Sequence, residues 1–195
     1  MIMKKIFQQK HKGFTLIETL IAISIFTVSI LALMSVLGQG ISNTNYAKQK
    51  IIASYLAQEG IEYMRNMRDT FVLFDASSAQ AGWNAFNAKI APLPDTLCAG
   101  SNGCYFNDQN LNYANPAQPM TDIILTACGV DCPSLLYDET TGKYGYASGT
   151  NSNFVRKINV VQVANQTKIS STVYWNQGSG NYGISFSESL FNWVE

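Results

Sequence analysis

The sequence predicts an α+β fold. A long N-terminal helix, membrane-spanning in its first half and amphipathic in its second, packs on a C-terminal antiparallel sheet, with a loop-rich, disulfide-bearing insertion between them. Three observations carry this. No charge occurs from Thr19 to Ala47, and no proline before Pro92. Beyond that run, Ile52, Leu56, Gly60, Met64, Met67 and Phe71 recur at spacings of three and four, the period of one helix face. Residues 154–195 instead alternate with period two in short runs separated by turn residues.

The first element, residues 1–13, is a short basic leader. Lys4, Lys5, Lys10 and Lys12 precede Gly13 with no acid among them. Positive charge on that flank puts Met1 in the cytoplasm and the body outside the membrane. Residues 14–47 form the membrane-spanning half of the helix. As a helix the charge-free run reaches roughly 43 Å at ~1.5 Å per residue, more than the ~30 Å hydrocarbon core requires. A secretory signal peptide fits poorly, because the run is too long and no small-x-small site follows a short apolar region. A lipoprotein signal needs a cysteine soon after the run, and the first is Cys98. Glu18 is the odd residue. A lone carboxylate at bilayer depth costs at least ~3 kcal/mol. Near the start of the run it is either a tolerated interfacial acid or a carboxylate awaiting a cation from another subunit.

The stretch KGFTLIETLIAISIF, Lys12–Phe26, resembles the N-terminal signature of the type IV pilin superfamily: basic leader, glycine, phenylalanine, Thr-Leu-Ile-Glu, apolar helix. The resemblance implies that a prepilin peptidase cuts between Gly13 and Phe14 and N-methylates Phe14. It further implies that Glu18, fifth in the mature chain, neutralises the Phe14 amine of a neighbouring subunit. Such a desolvated pair acts as a register device, because a subunit at the wrong height leaves two buried charges unpaired. The implied function is that of a structural subunit of a type IV pilus or pilus-like filament. A type II secretion pseudopilin, or a tip-located minor pilin acting in adhesion or DNA uptake, is the alternative. The implied partners are prepilin peptidase, other pilin or pseudopilin subunits and the cytoplasmic membrane. The implied location is a single-pass inner-membrane protein that later enters an extracellular or periplasmic filament. Many pilins carry a proline within this helix, and this chain has none there.

Residues 48–70 continue the helix to about Arg68. Glu62 with Arg65, and Arg65 with Asp69, fall at ion-pairing spacings on the outer face. Gly38 and Gly40 each weaken the helix by about 1 kcal/mol relative to alanine, and Gly60 lies within the stripe, where a sheet could approach closely. Residues 71–153 hold all the prolines and all the cysteines with many Asn, Ser and Gly, and read as a loop-rich region. The closely spaced cysteines favour Cys98–Cys104 and Cys128–Cys132 disulfides in an oxidising compartment, although four cysteines allow three connectivities. A four-thiolate zinc site lacks its short C-x-x-C knuckles here, and reduced thiols are the third option. DQNLN, from Asp108, begins like a calcium loop, but Tyr113 and Pro119 stand where glycine and glutamate are required. Residues 154–195 form an antiparallel meander from KINVVQV, KISSTVYWN and YGISFS. Leu190 and Trp193 of the closing LFNWVE are expected to pack on it. This order of elements also resembles pilins.

Composition narrows the function further. Removing the four leader lysines leaves nine basic residues against thirteen acids, a net of −4, which argues against a sequence-independent nucleic-acid binder. The only histidine, His11, lies before Gly13. A chain cut there has no histidine, the commonest general base and catalytic zinc ligand. The reading is therefore of a non-enzyme with no metal and no cofactor. Trp83, Tyr144 and Tyr146 are the aromatic candidates for a binding surface in the loop-rich region.

Overall fold

The computed structural model describes residues 13–74, 77–93, 95–107, 123–163 and 165–192. The calls on the leader lysines, His11, the Asp108 stretch and Trp193 lie outside them. The chain divides into two compact units, Met1–Asn45 and Tyr46–Glu195.

Helix α1, Leu16–Phe74, runs unbroken through Gly38 and Gly40. In the first unit every described residue is exposed, and the best window has a mean hydropathy of 2.6. Its hydroxyls do not compromise that apolar surface. Ser24 Oγ, Thr27 Oγ1 and Ser29 Oγ donate to the carbonyls of Ile21, Ser24 and Ile25 at 2.7–2.9 Å, so these three hydroxyls are satisfied within the helix.

In the second unit α1 continues past the expected end near Arg68 to Phe74. Phe71 and Val72 pack on the core there, and that burial carries the helix on. Helix α2, Ala79–Ile90, follows. Ser78 caps it by accepting from the Ala81 amide at 3.1 Å, and it buries Trp83, Phe86 and Ile90 along one face. A Cβ on Gly82 would collide with the Phe71 carbonyl, so glycine permits the two helices to cross this closely. Strands β1 (Cys104–Phe106), β2 (Leu125–Ala127), β3 (Ser134–Asp138) and β4 (Lys143–Gly145) complete this part of the chain. The region expected to be loop-rich thus also carries a helix and four short strands.

The expected meander is present as β5 (Thr150–Val163), β6 (Gln166–Gln177) and β7 (Gly180–Phe191), joined by tight turns, the second with Gly178 at φ +58. It forms the greater part of a seven-stranded antiparallel sheet. The other edge of β5 is shared by β3, near Val155, and β1, at Ile158. Alternation sets the faces. Phe154, Ile158 and Val160 of β5 and Ile169, Ser171, Val173 and Trp175 of β6 are buried. They meet the α1 stripe of Leu56, Met64 and Met67 in two hydrophobic clusters, each large side chain contributing about 1.5–3 kcal/mol by burial. At Gly60 helix and sheet approach closely: a Cβ there would strike the Ser171 hydroxyl and lie 3.0 Å from Ile158 Cδ1.

Candidate functional site

Gly13, Phe14 and Thr15 precede the first turn of α1, and all three are exposed. The Thr15 amide and Thr15 Oγ1 donate to Glu18 Oε2 at 2.9 and 2.8 Å, and the Glu18 amide donates back to Thr15 Oγ1 at 3.4 Å. This is a capping box: a threonine and the acid three residues later satisfy the free amides of the helix start. The positive end of the helix dipole favours a carboxylate at this position. Glu18 is therefore held in place by neutral donors of its own chain. Thr15 did not emerge from the sequence reading, although Thr-x-x-Glu before an apolar run is the signal that marks such a box.

In the body, three arginines are held in ion pairs. Arg156 is buried on the core side of β5; it donates to Glu59 at 2.8 Å and lies 4.5 Å from the centroid of the Phe106 ring. Arg65 binds Glu62 at 2.8 Å and Glu188 of β7 at 2.6 Å. The hydrogen bonds that Arg65 donates to Glu188 push its guanidinium pKa up. Asp69 is bound by Arg68 and not by Arg65, because Arg65 is drawn across to the sheet.

Cys98 is bonded to Cys104 and Cys128 to Cys132, leaving no free cysteine. A zinc site made from these thiolates is thereby excluded. The two loops are tied together where the Cys128 amide donates to the Gly103 carbonyl at 2.9 Å. Among the described residues, no group of three His, Cys, Asp or Glu side chains is placed to hold a metal ion. The aromatic candidates do not form a free surface. Trp83 is in the core against Phe86, Tyr144 packs on Phe154 and Tyr137, and Tyr146 packs on Tyr105. Burial pushes the Tyr146 hydroxyl pKa up.

The family model for the prokaryotic N-terminal methylation motif matches residues 8–34. The chain carries the type IV pilin/pseudopilin signature. That signature indicates a pilin-like structural subunit, with membrane anchoring through the apolar helix and later assembly into a filament. The matched stretch contains Gly13, Phe14, the Thr15–Glu18 box and the exposed apolar surface up to Met34. Comparison with curated proteins finds no match, and neither does comparison with solved structures.

Proposed function

We propose that the chain is a structural subunit of a type IV pilus or pilus-like filament. A prepilin peptidase cuts it between Gly13 and Phe14 and methylates the new Phe14 amine. The subunit then assembles through α1, with Glu18 facing the Phe14 amine of another copy. The methylation signature at residues 8–34 carries this reading.

Three features of the chain support it. A Cβ on Gly13 meets nothing within 4 Å among the described residues, and Gly13 has no positive φ. Glycine there serves something outside the folded chain, as a peptidase subsite would. The apolar surface of residues 16–45 is bare, and one bare helix with the same patch on every copy makes a repeating heterologous contact that extends into a filament. Glu18 takes both Thr15 donors on Oε2, while Oε1 has no hydrogen-bond partner among the described residues. A carboxylate accepts several hydrogen bonds, so Oε1 remains for an incoming ammonium without dismantling the cap.

Mass spectrometry of the protein from a host with its processing enzyme should give a chain starting at methylated Phe14, and an intact leader refutes the processing. Glu18→Val should insert in the membrane normally and be lost from sheared filaments. Incorporation at the wild-type level refutes the pairing.

A further inference from the structure

Strand β7 forms an outer edge of the sheet. It pairs with β6 along its whole length with no register shift and, among the described residues, with no other strand. Long edges in natural sheets are blunted by lysine, proline, a bulge or a covering element. β7, GNYGISFSESLF, has no lysine, proline or bulge. Its one charge, Glu188, is held by Arg65.

Among the described residues, the cover over β7 is also incomplete. The helix-facing row of β6, Thr167, Ile169, Ser171, Val173 and Trp175, is buried. In the matching row of β7, Leu190 is buried, whereas Ile184, Phe186 and Glu188 are only half-buried. A hollow of about 460 Å³ opens between this strand and the outer side of α1, lined by Tyr55, Glu59, Glu62 and Arg65 on one wall and Phe186 and Glu188 on the other. Tyr55 is 68% exposed.

We propose that this hollow receives an extended, basic segment of a partner polypeptide. The segment adds an eighth strand to β7 and lays alternate side chains against α1. Backbone pairing to a free edge supplies affinity, and the groove wall that meets every second side chain supplies selectivity. The charges fix the sign of the occupant. Buried Arg156 matches Glu59 from beneath. Glu62 and Glu188 share the single guanidinium of Arg65, so among the described residues one carboxylate charge is left without a matching cation across the hollow. A lysine or arginine on the incoming strand completes the set. A second copy pairing through its own β7 brings the same surplus acid to the same place, and like charges across an interface oppose association. The proposal rests on the body alone and is independent of the processing at Phe14.

The test uses the full chain in detergent micelles, isotope-labelled for amide exchange. The probes are a capped, dye-labelled peptide alternating valine with lysine and threonine, and a counterpart with glutamate in place of lysine. The lysine peptide should bind saturably and about tenfold or more tighter than its counterpart. It should slow exchange at alternate amides of β7 and leave β2 and β4 unchanged. Glu62→Lys, an exposed change that leaves the melting temperature in place, should weaken binding by a similar factor. Equal binding of the two peptides, protection absent from β7, indifference to Glu62→Lys, or dimerisation through β7 without peptide each overturns the proposal.

Discussion

Gly60→Ala tests whether the helix and sheet meet where the structure places them. On an exposed helix this change stabilises by about 1 kcal/mol, because alanine is the better helix former. Here the new methyl strikes the Ser171 hydroxyl and lies 3.0 Å from Ile158 Cδ1 and 3.2 Å from Ser171 Cβ. The hydroxyl can rotate away at little cost, since Ser171 Oγ has no hydrogen-bond partner. The Cβ atom cannot, so α1 and β6 must separate by a few tenths of an ångström. Overpacking of this kind costs about 1–3 kcal/mol. Taking about 2 kcal/mol, less the gain in propensity, the net expectation is a loss of about 1 kcal/mol, or about 2–4 °C in melting temperature for a body of this size. Ser171→Ala in the same chain removes the nearest clash and should recover part of the loss. The assay is thermal unfolding of the detergent-solubilised chain followed by tryptophan fluorescence, because Trp83 and Trp175 are both buried. If Gly60→Ala raises the melting temperature, the close approach is not there and the argument fails.

Reduction of the disulfides should cost about 2 kcal/mol for each of these short loops, and the Cys98→Ala/Cys104→Ala chain should lose more than the Cys128→Ala/Cys132→Ala chain because both of its cysteines are fully buried in the main core cluster; equal midpoints in denaturant would contradict this. Burial raises the Tyr146 pKa, so the folded state retains that proton where the unfolded state has lost it. The resulting stability is present in full below the unfolded value of about 10 and is lost as pH rises through the folded one. Tyr146→Phe should therefore flatten the fall in stability above about pH 10, read from denaturant midpoints across pH; an unchanged slope counts against the burial argument.

The parts of the fold that were legible in the sequence are those with long, unbroken periodicity. Leu56, Met64 and Met67 repeat at the helical period because one face meets the sheet throughout. Ile169, Ser171, Val173 and Trp175 repeat at period two because β6 lies between two neighbours and under the helix. Helix α2 escaped because its stripe of Trp83, Phe86 and Ile90 is short and is preceded by Gly82, which looks like a breaker but serves the crossing with α1. Strands β1 to β4 run three to five residues each, too short to show alternation, and exist by pairing with longer partners. Arg65 and Glu188 are 123 positions apart, and no local pattern links them, so the sequence pointed Arg65 to Asp69 instead. At the N-terminus the signature residues are read directly, whereas the capping box, an equally local Thr-x-x-Glu pattern, goes unread when Glu18 is taken up only as a partner for a charge.

The treatment of charge in the two units bears on why Glu18 calls for a partner from another chain. In the body, the buried guanidinium groups have carboxylates against them: Arg156 has Glu59, and Arg68 has Asp69. Charge is matched by charge wherever water is excluded, as the desolvation cost demands. Glu18 differs: it is exposed, and no cation lies against it among the described residues. Thr15 satisfies its hydrogen bonding, yet the threonine amide and hydroxyl are neutral, and a helix dipole supplies about half a unit of positive charge. The cap satisfies the carboxylate's hydrogen bonding but supplies no full opposite charge. Cleavage at Phe14 would create one fixed cation per subunit, at the same end of the helix as this acid. A cation three or four residues up its own chain can approach Glu18 only by crowding the cap, whereas the amine of a copy shifted along the helix axis arrives from the open side. If the chain is processed as proposed, this geometry favours a pairing between copies over one within the chain, and the Glu18→Val variant tests whether filament growth depends on it.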